Sequence, residues 1–417
     1  MNEQLITEYW ITNLLLESGY AFEGEEIVST LTEKCHVRIN AGKFAEIITA
    51  ETPFHSELPC YDANAQLLLP AFREMHIHLD KTYYGGPWRA VRPAPNGVFS
   101  RIEEEKALLS TLLPTAKDRA EQLLELVLNN GSTHVRTHCN IEPTTGLRNL
   151  EATLQALESY QNKCTYEIVA FPQHGLLHSV SVPLVREALR SGAHLVGGLD
   201  PATVDGNIEA SLDAMVQLAV DANADIDMHL HDAGHLGIFT MRRLAALTRE
   251  IGWQGRVTIS HGFGLAGVPA SLVSEIADLF AELGITLATT VPIGTMTMPL
   301  PLLYERGAKV VIGQDSITDH WSPFGTGDNL ERASIFAECY GWRSERKLAE
   351  ALGFITDGLL PLDRNGTRVW PAVGDEASCV LVAASCTAEA VARRAPRKAV
   401  IHKGSVVSGE IAPSEDS

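Results

Sequence analysis

Reactive side chains stand at the ends of short apolar runs throughout this sequence. His76-Ile77-His78 closes one run and is followed by Asp80 and Lys81. His229-Leu230-His231-Asp232 closes another, Ser260-His261 a third and Gln314-Asp315 a fourth. Arg136-Thr137-His138 and Pro172-Gln173-His174 follow two more. Residues i and i+2 of a strand face the same side. His76 and His78 therefore point together and can share one metal ion. Imidazole nitrogens bind Zn²⁺ or Fe²⁺ at ~2.0–2.1 Å, and a carboxylate commonly completes the set. His229 and Asp315 are the candidate third and fourth ligands, which leaves a position for water. With 15 histidines in 417 residues, about half an HxH pair is expected by chance, so one pair alone says little. Here there are two, and His261, a candidate catalytic residue, and Asp315 end further runs of the same kind. A lone histidine after an apolar strand is ordinarily a packing residue; the shared placement separates these from that reading.

Eight β-rich apolar runs carry these groups: 67–78, 133–138, 166–171, 194–199, 225–231, 256–261, 285–290 and 309–313. Between them lie stretches such as 120–128, 185–190, 212–222 and 272–283, whose apolar residues recur at three- and four-residue steps, the helical period. Eight strand-then-helix units predict a closed (β/α)₈ TIM barrel over residues 67–365, with a doubly wound open sheet as the competitor. Barrel enzymes place their reactive groups at the C-terminal ends of strands, where the residues above fall.

The flanks read differently. Short strand-like pieces occur at 9–15, 37–40 and 45–48, and again at 378–382, 399–402 and 405–407, with Gly404 as a hairpin turn. The two ends, 1–66 and 366–417, are expected to form one small β-sandwich domain beside the barrel. Hydrophobic residues make up 45% and charged residues 20% of the chain, as in a globular protein. No apolar run reaches the ~18 residues of a membrane span. The net charge of −19 disfavours nucleic acid and anionic lipid as partners. The stretch from Met1 to Leu16 has no basic region of the kind that opens a secretory signal. The seven cysteines form no CxxC pair, so a reduced, cytoplasmic protein is expected.

At these residues the sequence resembles the amidohydrolase superfamily, within it the cytosine deaminase branch, over nearly the whole chain. The resemblance rests on HIHLDK at 76–81, HVRTHCN at 134–140, IVAFPQHG at 168–175, DMHLHD at 227–232, TISH at 258–261, IGQDS at 312–316 and DHWSPFG at 319–325. LVGGLDPAT at 195–203 and HLHDAG at 229–234 look closer to the triazine-ring hydrolases of that branch and to enterobacterial deaminase-like proteins. The resemblance implies one divalent metal ion, zinc or iron, on His76, His78, His229 and Asp315, with His261 as the catalytic histidine. Members with two metals carry a lysine at the end of strand four; this chain has Gly197-Gly198-Leu199-Asp200 there. Two departures count against cytosine itself: Asp232 replaces the glutamate after the strand-five ligand, and Asn140 replaces an aspartate after strand two.

The implied reaction is hydrolysis of a C–N bond of a small nitrogen heterocycle, by a water that the metal acidifies toward neutral pH. In it the ring loses an amino or alkylamino group. Asp315 accepts the water proton, His261 stabilises the developing oxyanion and Asp232 protonates the adjacent ring nitrogen or the leaving amine. Gln173, whose amide donates and accepts at once, holds the ring edge. Trp321 and Trp88 are candidate flat walls, His231 and His138 candidate polar contacts, and Lys81 pairs with Asp80 or orients a carboxylate. The resemblance also implies self-association. Hydrolysis of a cyclic amide and a barrel that has lost catalysis are the competing functions.

Overall fold

The computed structural model describes residues 7–294 and 296–414. Residues 1–6, part of the N-terminal stretch considered above, lie outside the described residues, as do Thr295 and residues 415–417.

The N-terminal flank folds as β1 (Glu8–Glu23), β2 (Glu26–Asn40), β3 (Lys43–Thr49), β4 (Cys60–Asp62) and β5 (Leu67–Pro70). Eight parallel strands follow: β6 (Phe72–Ile77), β7 (Ser132–Asn140), β8 (Thr165–Phe171), β9 (Leu195–Leu199), β10 (Asp225–Leu230), β11 (Val257–His261), β12 (Thr286–Thr289) and β13 (Lys309–Ile312), each paired with the next. A bridge between Ile77 and Asp315, three residues past the end of β13, closes the ring. The C-terminal flank adds β14 (Cys379–Val382), β15 (Arg397–His402), β16 (Ser405–Gly409) and β17 (Ala412–Pro413). The (β/α)₈ barrel expected from the eight runs is present.

Helices alternate with the barrel strands: α1 (Val98–Leu112), α2 (Ala116–Asn129), α3 (Arg148–Glu158), α4 (Val182–Arg190), α5 (Ile208–Ala222), α6 (Gly234–Ile251), α7 (Ala270–Leu283), α8 (Leu300–Glu305), α9 (Asn329–Tyr340) and α10 (Glu345–Leu352), with α11 (Thr387–Arg393) in the C-terminal flank. Several bury an apolar stripe against the strands. Leu123, Leu124 and Val127 of α2, and Val273, Ile276 and Phe280 of α7, enter the one large core.

The two chain ends meet in a single sheet of nine strands in which β5 and β14 run side by side. This sheet has its own core, built on Ile11, Leu14, Val37, Phe44, Leu381 and Trp370. The hairpin between β15 and β16 turns at Lys403 and Gly404, φ +46° and +76°, the left-handed pair that two-residue hairpins favour.

Two differences from the sequence reading have local causes. The run 67–78 is not one strand. Leu67–Pro70 pairs with β1 and β14, and the chain joins the barrel only at Phe72. The N-terminal strands are also longer than their apolar cores at 9–15 and 37–40, because β1 and β2 continue as a two-stranded arm to Glu23 and Glu26. Residues 26–34 on that arm are exposed or half-buried, so no apolar alternation marks them.

Candidate metal centre and active site

The two strands that close the barrel bring their ligands together through the backbone. The Asp315 N–H donates to the His76 carbonyl at 2.6 Å, and the His78 N–H donates to the Asp315 carbonyl at 3.3 Å. Gly313 permits this approach: a Cβ there would lie 2.6 Å from Glu74 Oε1 and 2.7 Å from the His76 nitrogen. Two of the ending residues adopt left-handed backbone, His261 at φ +69° and Asp315 at +61°. Non-glycine residues seldom hold that conformation, and it gathers at functional sites.

The Oδ1 of Asp315 lies 3.2 Å from His78 Nε2 and 3.4 Å from His76 Nε2. Nitrogens held ~2.05 Å from one tetrahedral ion stand about 3.4 Å apart, so this spacing fits a shared divalent cation. His229 completes the set, one donor atom from each of the four lying within 4.8 Å of every other. Both His229 nitrogens are buried without a hydrogen-bond partner, and His76 Nε2 likewise; buried polar atoms are seldom left so. Burial holds His229 and His78 in their neutral, metal-binding form, the latter pushed down to about 3. The donor set of the described residues therefore suits a divalent ion.

A further layer fixes the ligands. The Ser260 hydroxyl donates to Asp227 Oδ1 at 2.6 Å and sits 2.8 Å from His76 Nδ1. Its proton is committed to the carboxylate, so it accepts from Nδ1–H and leaves His76 Nε2 free to ligate. Phe171, at the end of β8, stacks on the His229 ring at 4.0 Å. Glu74 accepts from the N–H groups of His76 and Gln314.

The cavity over these ligands, about 30 Å³, is lined by His78, Lys81, Gln173, His229, His231, His261, Asp315, Ser316 and Trp321. The His261 ring packs 4.4 Å from that of His231. His231 is tied through Nδ1 to Asp200 Oδ2 at 2.9 Å. Burial disfavours charge on His231, but Asp200, Asp315 and Asp232 more than offset it and raise its pKa.

Three of the expected residues lie off this cavity. Asp232 does not line this cavity; its oxygens accept from the N–H groups of Ala202 and Thr203 at 3.0 and 3.1 Å and pin the loop after β9. His138 is wholly buried behind the ligands, 4.2 Å from the His76 ring and 3.8 Å from Asp227, and also lies outside the lining. Trp88 is 74% exposed and forms no wall of the cavity.

Glu105 is the residue that sequence reasoning missed. It is fully buried on α1, in the long connection between β6 and β7. It takes His320 Nε2 at 2.8 Å, His174 Nε2 at 3.0 Å, Asn140 Nδ2 at 3.1 Å, Trp321 Nε1 at 3.3 Å and Lys81 Nζ at 3.5 Å. Burial opposes its charge, but Lys81 and the two histidines hold its pKa well below the carboxylate range. Lys81 pairs with this residue rather than with Asp80. Asp200 was legible only as the polar residue ending the fourth run.

A closed (β/α)₈ barrel with three imidazoles and a carboxylate converging at its strand ends defines a metal-dependent hydrolase barrel. Residues 60–412 match the amidohydrolase family, and the chain belongs to that family, hydrolases of carbon–nitrogen bonds. It is 46% identical over 415 residues to the uncharacterized protein YahJ of Escherichia coli K12, covering 99% of this chain and 90% of that one. It is 30% identical over 359 residues to the N-isopropylammelide isopropyl amidohydrolase of Pseudomonas sp. strain ADP, covering 83% and 87%. The crystal structure of N-isopropylammelide isopropylaminohydrolase from Burkholderia multivorans superposes with a TM-score of 0.84 at 29% identity, covering 98% of this chain and all of that one. Among the described residues, no helix is long and apolar enough to cross a membrane.

Proposed function

We propose that this enzyme hydrolyses an exocyclic C–N bond of a small nitrogen heterocycle, releasing ammonia or an alkylamine and leaving an oxo group on the ring. The observation that carries the reading is the approach of Asp315 to the two imidazoles of His76 and His78, with His229 in reach and His261 beside them. These four residues would hold a divalent ion, zinc or iron, whose chemistry would be to acidify a water toward neutral pH.

The protein's own groups then have distinct tasks. The second carboxylate oxygen of Asp315 accepts the proton of the attacking water. His261, neutral through burial, donates to the oxygen on which negative charge develops. Asp232 is engaged elsewhere, so proton delivery to the leaving nitrogen falls to His231, which lines the cavity with its other ring nitrogen fixed by Asp200. Lys81 Nζ donates to Gln173 Oε1 at 2.7 Å, so the Gln173 amide offers its N–H₂ group to an acceptor on the ring. A cavity of about 30 Å³ has room for little more than a water molecule.

Metal-replete protein assayed against amino- and alkylamino-substituted pyrimidines, purines and triazines tests the reading. Release of ammonia or amine from at least one ring class is expected. Turnover confined to ring-opening of cyclic amides, or none across the panel, overturns it.

A further inference from the structure

A cavity of about 720 Å³ lies between α1 and the loop that follows Lys81, away from the helix face that carries Glu105. The loop supplies Tyr83, Arg89 and Arg92, and α1 supplies Glu103, Glu104 and Leu108. Its size is within the ~300–1,000 Å³ usual for small-molecule sites. None of these residues has a task in the chemistry proposed above.

The charges around this cavity do not balance. Glu104 accepts from Arg101 at 2.6 Å and Glu103 from Lys106 at 2.6 Å, so each acid already has a cation. Arg89 and Arg92 are exposed, and among the described residues no carboxylate pairs with either guanidinium. Four cations therefore meet two carboxylates here, in a chain whose net charge is −19. Arg89 lies over the Tyr83 ring, 5.1 Å from its centroid, which holds the guanidinium at the cavity wall. It also stands near Arg119, whose donors go to the Thr82 and Leu112 carbonyls and the Thr115 hydroxyl, none of them an acid. Burial, and then this neighbour, lower the Arg119 pKa. The helix adds charge of the same sign. No acid stands in the first turn of α1 and no side chain caps it, so its positive end is left open. Like charges gathered in this way repel, and a bound anion relieves them.

We propose that this cavity binds a small phosphorylated molecule, its phosphoryl group held between Arg89 and Arg92. A guanidinium pairs with phosphate oxygens through two parallel N–H donors, and two guanidiniums match a dianion. Both side chains reach solvent, so the ligand binds without any opening of the core. Leu108 and Tyr83 give its carbon part an apolar wall. The site is separate from the metal ligands and stands or falls independently of which ring is hydrolysed.

Calorimetric titration of the full-length, metal-loaded protein with glycerol 3-phosphate tests the site, with succinate and glycerol as comparisons. Saturable glycerol 3-phosphate binding with a Kd below about 1 mM is expected, with succinate weaker and glycerol not bound. Arg89→Gln and Arg92→Gln are each expected to weaken that binding at least about tenfold, or 1.4 kcal/mol. Both positions are exposed, and circular dichroism checks that the variants keep the parent fold. No saturable binding to the parent protein overturns the proposal, as does tighter binding of succinate or any binding of glycerol. Binding unchanged in the two variants overturns it too, because it places the phosphoryl group elsewhere, at the metal ligands.

Discussion

Lys81 Nζ donates to Gln173 Oε1 at 2.7 Å while standing 3.5 Å from Glu105 Oε1. One buried ammonium thus settles which end of the Gln173 amide faces the cavity and ties it to a carboxylate on α1. Removing this ammonium frees the amide to rotate. Lys81→Met is expected to raise KM about tenfold or more with a smaller effect on kcat, because it disturbs ring binding before the chemical step. Steady-state kinetics on whichever ring is turned over checks this; an unchanged KM excludes the orienting role.

Removing the other partner has a different signature. Glu105→Gln leaves Lys81 buried without its counter-charge, and breaking a buried pair costs roughly 3–5 kcal/mol. Chemical denaturation is expected to show a loss of that size. A variant within about 0.5 kcal/mol of the parent would mean that Lys81 finds solvent or another partner.

Ser260 gives the cleanest test of the metal ligands, because it touches no substrate and changes little volume. Ser260→Ala removes the acceptor from His76 Nδ1 and releases the ring's orientation. A loss of about 10–100-fold in metal affinity is expected, as for other groups that orient metal-bound histidines. Competition with a chelator measures it. His229→Ala removes a ligand outright and is expected to abolish stoichiometric binding.

His231 and Asp232 are adjacent in sequence and separate in role. His231→Gln is expected to lower kcat about 10²–10⁴-fold with metal retained, the usual range for a lost proton-transfer group. Asp232→Asn is expected to retain turnover within a few-fold and to lose stability through the Ala202–Thr203 loop. The reverse pattern returns proton transfer to Asp232.

These two residues also show what the sequence makes legible. Strand periodicity and the barrel rule place a residue at the rim, and they pointed to His76, His229 and His261 within strands and to His78 and Asp315 just past strand ends. They do not say where a side chain turns once the strand has ended. Asp232 lies past the end of β10, and loop amides that no periodicity reveals take its carboxylate. Glu105 was invisible for a related reason. It sits on α1, within the connection from Ile77 to Ser132, and reads as one of several glutamates in Glu103-Glu104-Glu105. Only the fold shows that this one points inward. The break at Pro70 was hidden because the apolar run continues across it while its pairing partners change.

Glu167 offers a pH test away from the metal ligands. Burial raises its pKa, but His134 and Arg136, at 3.3 and 2.9 Å, outweigh that and bring it to about 2. A carboxyl depressed by folding stabilises the protein above its unfolded pKa, near 4.5, and loses that contribution as pH falls toward 2. With its side chain 30% exposed, the contribution at neutral pH is about 2 kcal/mol after allowance for solvent. Glu167→Gln is therefore expected to lower stability at pH 7 and to differ progressively less from the parent between pH 4.5 and 2. Denaturation curves across that range check the convergence. Parallel curves would mean that the glutamate contributes through packing alone.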